Sequence, residues 1–257
     1  MRKAERTEKK RKNRKLITIL LTVIFLVSVS YLVFYFYDAG KNKGLHDGSG
    51  DDVDVVMEEI VKVKGPFIEK VLELKQENSD VVGWIKIEGM NINYPLLQGT
   101  DNDYYLGHNY KHEKSSYGSI YLNTNSNIKD MNSNVIIYGH SMKDRQMFGS
   151  LKDYKSKEFY DQHSTIYVAT DEEEAEYQIM YVFVSRIFYT DETDVFRYYQ
   201  YYGFEDEAKY NEYLENSKAI ELYNTGVTAQ YGDQLLTLIT CDSVQDNARL
   251  VVVAKKK

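Results

Sequence analysis

Cysteine and proline are scarce: one cysteine, Cys241, and two prolines stand in 257 residues. A single thiol excludes an internal disulfide and any zinc or iron–sulfur site that needs several cysteines. A lone cysteine is most often a small buried hydrophobe, so a chemical role for it requires support from its surroundings. GxSxG, P-loop and GxGxxG motifs are also missing, which leaves serine hydrolysis and nucleotide binding without a sequence basis. There is no internal repeat. The one biased block, Asp171–Glu176 (DEEEAE), reads as a solvated turn, because it lacks the ligand spacing of an EF-hand loop.

What is present is unevenly distributed. The net charge is −7, yet the first fifteen residues hold nine Lys/Arg against two acidic residues. A basic head on an acidic body argues against nucleic acid as a partner, since backbone binding needs a cationic working face. Residues 16–37 (LITILLTVIFLVSVSYLVFYFY) carry no charge, and a helix of that length spans about 33 Å, enough for a bilayer core. Its aromatics crowd the C-terminal end, where an interfacial belt would lie. No small-x-small cleavage site follows the run, which favours a retained anchor over a removed signal peptide. The basic residues 1–15 then belong in the cytoplasm by the positive-inside rule, and everything after Tyr37 outside the cell. Residues 38–52, rich in Gly and Asp, read as a flexible tether.

The body begins at residue 53. Residues 53–77 have helical spacing broken at Gly65-Pro66, predicting two short amphipathic helices packed on the domain. From residue 81 the period changes to that of strands. Eight runs follow: Val82–Ile87, Ile92–Leu97, Ser119–Leu122, Asn134–His140, Thr165–Thr170, Tyr177–Phe188, Leu235–Cys241 and Arg249–Ala254. Eight strands with few helices between them predict a mainly β fold, a closed or nearly closed barrel. A short helix is expected at Lys155–Tyr160. Between the sixth and seventh strands lies a long insertion, Tyr189–Asp233. Its segment Glu205–Tyr223 has good helix formers, with Ala208, Tyr213, Leu214 and Ile220 available for an apolar face. Trp84 reads as a core or rim aromatic.

The last two runs carry the chemistry. Cys241 ends one and Arg249 begins the other, so pairing them as neighbours sets a thiol opposite a guanidinium at one end of a sheet. Such a pair suits acyl transfer, with sulfur attacking a carbonyl and a cation meeting the charge that develops on oxygen. A thiol nucleophile also needs a proton partner, usually histidine. His46 lies in the tether. His108 and His112 have the spacing of a metal pair on a helix, but the Gly, Asn and Ser around them favour a loop and no further ligand is evident. His163 follows the short helix and reads as a surface residue. His140 differs, because it closes an apolar strand between Gly139 and Ser141, where its ring can project into a cleft at the strand end. A Cys241/His140/Arg249 site stands beside the alternative of a hydrogen-bonded structural histidine.

At these residues the chain resembles the sortases, class B in particular. The resemblance is carried by TLITC (Thr237–Cys241), RLVVVAK from Arg249, IIYGHSM around His140 and the run INYPLLQGTDNDYYLGHNYKHEKSSYGSIYL from Ile92. It covers residues 55–255, and the helices before the barrel and the long insertion also look like class B. It implies a sortase-type barrel and makes residues 53–257 an extracellular catalytic domain. Cys241 would be the nucleophile, His140 the general acid/base and Arg249 the oxyanion or substrate-positioning residue, with Thr240 contacting substrate backbone. It implies no metal and no cofactor. The partners it implies are surface proteins bearing a C-terminal sorting signal, cleaved after Thr through a Cys thioester, and a peptidoglycan-precursor amine that accepts the acyl group. A pilin-polymerising enzyme with a lysine acceptor, or a catalytically silent membrane-anchored binding module, remains the alternative.

Overall fold

A computed structural model of the chain describes residues 31, 32, 35, 37, 65–243 and 246–257. The chain divides into two units, Met1–Leu45 and His46–Lys257. The expected anchor at 16–37, the tether, the first amphipathic helix and His46 lie largely or wholly outside the described residues. Among the described residues, no helix is long and apolar enough to cross a membrane.

The second expected helix is present as α1 (Pro66–Glu77), with Pro66 in its first turn, where a missing N–H costs nothing. It buries Ile68 and Val71, and Phe67 lies 6.4 Å from the ring of Trp84, a core residue. All eight expected strands exist: β1 (Val81–Ile87), β2 (Ile92–Leu97), β3 (Ile120–Leu122), β4 (Asn134–Tyr138), β5 (Thr165–Ala169), β6 (Glu174–Arg186), β7 (Leu235–Cys241) and β8 (Ala248–Lys256). They close into a barrel in the order β1-β2-β3-β4-β7-β8-β6-β5. The β2–β3 and β4–β7 pairings are parallel and the others antiparallel.

The boundaries differ instructively. β6 begins at Glu174, so half of the acidic block is strand, and only Asp171–Glu173 turn. That turn is held by Thr170 Oγ1, which accepts from the amides of Glu172 and Glu173. The short helix starts later than expected. A 3-10 segment, Gly149–Lys155, comes first, and α2 (Lys157–Gln162) follows, capped by the Ser156 hydroxyl accepting from Phe159 N. His163 is not a plain surface residue, since its ring packs 4.4 Å from Phe159 and against Gly89.

The insertion holds α3 (Glu207–Ala219), capped by Asp206. Its buried face is Tyr210, Tyr213, Leu214 and Ser217; Tyr213 and Leu214 belong to the expected face, whereas Ala208 is exposed and Ile220 is 41% exposed. The i, i+3, i+4, i+7 spacing of the observed face is ideal for a helix, with tyrosines doing the burying. Together with Tyr198 and Phe204, this face covers Ile136, Tyr181, Phe183, Leu235, Ile239, Val251 and Val253 on the outside of the barrel. Each buried ring of that size stabilises by about 1.5–3 kcal/mol, so the cover is firmly seated. A polar latch sits inside it. Thr237 Oγ1 donates to Asn134 Oδ1 at 2.7 Å, so the Tyr213 hydroxyl must donate to Thr237, at 2.8 Å. Asn134 Nδ2 in turn donates to the Tyr201 carbonyl at 2.9 Å. Every member is satisfied, as a buried network requires.

Candidate active site

Strand register brings the chemistry together. Side chains directly opposite one another in a sheet share a face, and that face recurs every second residue. Reading across β4, β7, β8 and β6, one row is Ile136, Thr237, Val253 and Tyr181, and the next is Tyr138, Ile239, Val251 and Phe183. Both lie under the insertion. One step further, Cys241 pairs with Arg249 and Arg249 with Ser185. Continuing the parallel β4–β7 register past Tyr138–Ile239 sets His140 level with Cys241. At this row the cover ends. Cys241 is exposed, and His140 and Arg249 are half-buried.

β4 leaves the ladder at Tyr138, earlier than the sequence predicts, yet it stays beside β7. Gly139 N donates to the Ile239 carbonyl at 3.3 Å, and Thr240 Oγ1 donates to the Gly139 carbonyl at 2.8 Å. Thr240 is 2% exposed, so its hydroxyl is aimed at the backbone beside His140 and not at open surface. Only glycine fits at 139: a Cβ there would lie 2.4 Å from Ile120 Cδ1 and 2.8 Å from the Phe148 ring.

The His140 ring is held from a different element. Its Nε2 lies 2.8 Å from the Leu106 carbonyl oxygen. A carbonyl only accepts, so Nε2 carries a proton and Nδ1 is the nitrogen left to exchange one. Leu106 ends the 3-10 turn Tyr104–Leu106. Asp101 organises that turn by accepting from the amides of Tyr104 (2.7 Å) and Asp103 (2.8 Å), bonds that hold its carboxyl below the ordinary carboxylate value. Tyr105 pins the same turn, donating to Asp80 at 2.7 Å. On the other side, Phe148 N donates to the His140 carbonyl at 2.9 Å, and the intervening loop holds Arg145 (φ 70) and Met147 (φ 54) in the left-handed region.

Tyrosines wall the row. Tyr121 and Tyr138 lie with ring centres 5.4 Å apart, and Tyr198 and Tyr199 at 5.1 Å. Burial raises the phenol values of Tyr121, Tyr138 and Tyr198, and the Arg249 charge pulls each of the three back down, marking one neighbourhood. Arg249 Nη1 donates to the Ala248 carbonyl at 3.0 Å. His108 and His112 do sit in a loop, where His108 stacks on Tyr104 at 4.1 Å and His112 Nδ1 meets the Tyr104 hydroxyl at 3.2 Å. Among the described residues no group of three or more His, Cys, Asp or Glu is placed to hold a metal ion. The sequence reading named Thr240 for a substrate contact and not for its bond to Gly139, and it did not single out the Leu106 carbonyl or the Asp242 carboxylate; of these two only Asp242, adjacent to Cys241, carries a visible signal.

A thiol, an imidazole and a guanidinium in one open row above a tyrosine-walled face make an acyl-transfer site of the cysteine type. Residues 85–257 match the family described as Sortase domain. The chain belongs to the sortase family, class B, and is a sortase-type cysteine transpeptidase. It is 32% identical to Sortase B of Listeria monocytogenes over 94% of this chain and 95% of that one. To Sortase B of Staphylococcus aureus it is 30% identical over 93% and 95%. Among solved structures, a Staphylococcus aureus sortase B–substrate complex superposes with TM-score 0.73 at 27% identity, covering 86% of this chain and 98% of that chain. Sortase B from B. anthracis in complex with AAEK1 superposes with TM-score 0.68 at 34% identity, with the same coverage.

Proposed function

We propose that this transpeptidase joins surface proteins to the cell wall from the outer face of the membrane, with Cys241 as nucleophile. The Cys241 thiolate attacks the Thr carbonyl carbon of a C-terminal sorting signal, an NPxT-like or SPxT-like pentapeptide. The C–N bond breaks, the departing amine takes a proton from His140, and the acyl group remains as a thioester. A peptidoglycan-precursor amine then attacks the same carbon while His140 takes its proton, and the C–S bond breaks to regenerate the thiolate. Arg249 stabilises the negative charge on the carbonyl oxygen in both halves. The observation that carries this reading is the shared row of Cys241 and Arg249 with His140 level beside them.

The charge-free run at 16–37 behind nine basic residues supports a single-pass anchor with its N-terminus in the cytoplasm and residues 53–257 outside. Tethering of this kind suits two membrane-associated substrates, because it raises their effective concentration. The test is mass spectrometry of the full-length protein incubated with sorting-signal peptides, with and without hydroxylamine. A Cys241 thioester released as the hydroxamate is expected, abolished by Cys241→Ala and His140→Ala in proteins that remain folded. Retained turnover in either variant removes that residue from the mechanism.

A further inference from the structure

Strand alternation sends the side chains of Cys241 and Asp242 to opposite faces. Cys241 opens to solvent, whereas the Asp242 side chain is 0% exposed. A carboxylate buried that deeply is costly unless paired. Its partner is Lys155, Nζ to Oδ2 2.6 Å, with the lysine side chain 35% exposed. Lys155 closes the 3-10 segment Gly149–Lys155, in which Gly149, Ser150, Leu151 and Tyr154 are buried.

The opposite end of that segment reaches His140. Phe148, at its N-cap, donates to the His140 carbonyl at 2.9 Å, and Gly149 packs so closely on the following loop that a Cβ would lie 2.3 Å from the Met142 carbonyl oxygen. The middle is locked as well. Tyr154 donates its hydroxyl to the His163 carbonyl and accepts at its own carbonyl from the Tyr223 hydroxyl, both at 2.6 Å. One short strut, buried at four of its seven residues, therefore touches the ends of both β4 and β7.

We propose that Lys155 is a positioning residue for acyl transfer: its ion pair with Asp242 holds the Cys241 end of β7 level with His140 and balances the carboxylate next in the chain to the thiol. This rests on the reading of Cys241 as nucleophile. The thiolate is the reactive form, and a neighbouring unbalanced negative charge opposes it. Arg249 on β8 and His140 beside β4 are the charged and titratable groups at this row from the neighbouring elements. Tyr121 on β3 and Asp103 ahead of the Tyr104–Leu106 turn belong to the same electrostatic neighbourhood.

The test uses the full-length protein, in which a single cysteine makes iodoacetamide alkylation specific for Cys241. Lys155→Met is expected to slow alkylation at neutral pH about threefold to tenfold, moving the pH profile up by about half a unit to one unit. Lys155→Arg restores the wild-type profile. With a sorting peptide, Lys155→Met lowers kcat and leaves KM unchanged. Asp242→Asn, which leaves the lysine in place, shifts the profile the opposite way, and it decides the matter should Lys155→Met not fold. A wild-type profile in Lys155→Met, or an unmoved or upward profile in Asp242→Asn, overturns the inference. Thioester formation by the wild type beside such results removes this inference alone, while no wild-type thioester removes the nucleophile assignment and this inference with it.

Discussion

Thr240→Val separates two roles for the residue before the proposed nucleophile. Valine nearly matches threonine in volume, so the change removes one O–H donor and little else. The Gly139 carbonyl, which receives that donor at 2.8 Å in a buried setting, loses the partner. A buried acceptor left in this way costs about 1–3 kcal/mol. With a urea slope of about 2 kcal/mol/M, the unfolding midpoint falls by about 0.5–1.5 M. Gly139 immediately precedes His140, so the loosened strand end also displaces the proposed acid/base, and errors on the order of 1 Å cost up to about a hundredfold in rate. We expect kcat for peptide cleavage to fall about tenfold with KM unchanged, and Thr240→Ser to recover kcat because it keeps the donor. A raised KM with wild-type kcat would show that the side chain serves substrate binding instead. A wild-type midpoint and wild-type kinetics in Thr240→Val would refute the bond's importance altogether.

Gly139→Ala tests the same strand end by crowding: its Cβ would meet Ile120 at 2.4 Å and Phe148 at 2.8 Å. Overpacking of this kind costs about 1–3 kcal/mol, read as a lowered thermal midpoint, and an unchanged midpoint would mean the neighbours yield freely. Asp171 supplies a pH signature away from the site. The hydrogen bond from Lys75 at 2.6 Å, with Lys129 at 3.1 Å, holds its carboxyl below the ordinary value of 3.8. A depressed folded value stabilises the protein above the unfolded value, and that stability is lost as pH falls through the folded one. Asp171→Asn is therefore expected to cost about 0.5–1 kcal/mol at neutral pH, a modest figure because the pair is partly solvated. Urea midpoints of the two proteins should converge as pH falls below 3.8 and through the depressed folded value, and a gap that persists beyond it contradicts the assignment.

The parts of this molecule that follow from local chemistry were legible in the sequence. Apolar, β-branched runs marked all eight strands, and Gly65-Pro66 marked the start of α1. The pairing of β7 with β8 followed from a seven-residue connection, which brought Cys241 and Arg249 opposite each other. Errors arose where distant contacts decide. The burial face of α3 takes in Tyr210 and Ser217 in place of Ala208 and Ile220, because the Tyr210 hydroxyl finds the Asp233 carbonyl at 3.0 Å, a partner that no helical pattern of aliphatic residues contains. The strut Gly149–Lys155 was read partly as helix and otherwise not at all, since its ends are tied to His140 and Asp242 by tertiary contacts alone.

The site's geometry follows from one topological fact, the parallel pairing of β4 with β7. Parallel neighbours end on the same side of a sheet, so the residues closing two strands a hundred positions apart arrive together. An antiparallel neighbour starts where its partner ends, so the third residue must open β8 rather than close it. Histidine just past one strand, cysteine ending a second and arginine near the start of a third are therefore a single arrangement seen along the chain. The same topology explains why the row is open. β6 returns antiparallel to β8, and the insertion that leaves its end folds back over the two rows behind Cys241. The cover thus lies behind the thiol, where it excludes water from the strands without blocking the carbonyl that the sulfur must reach.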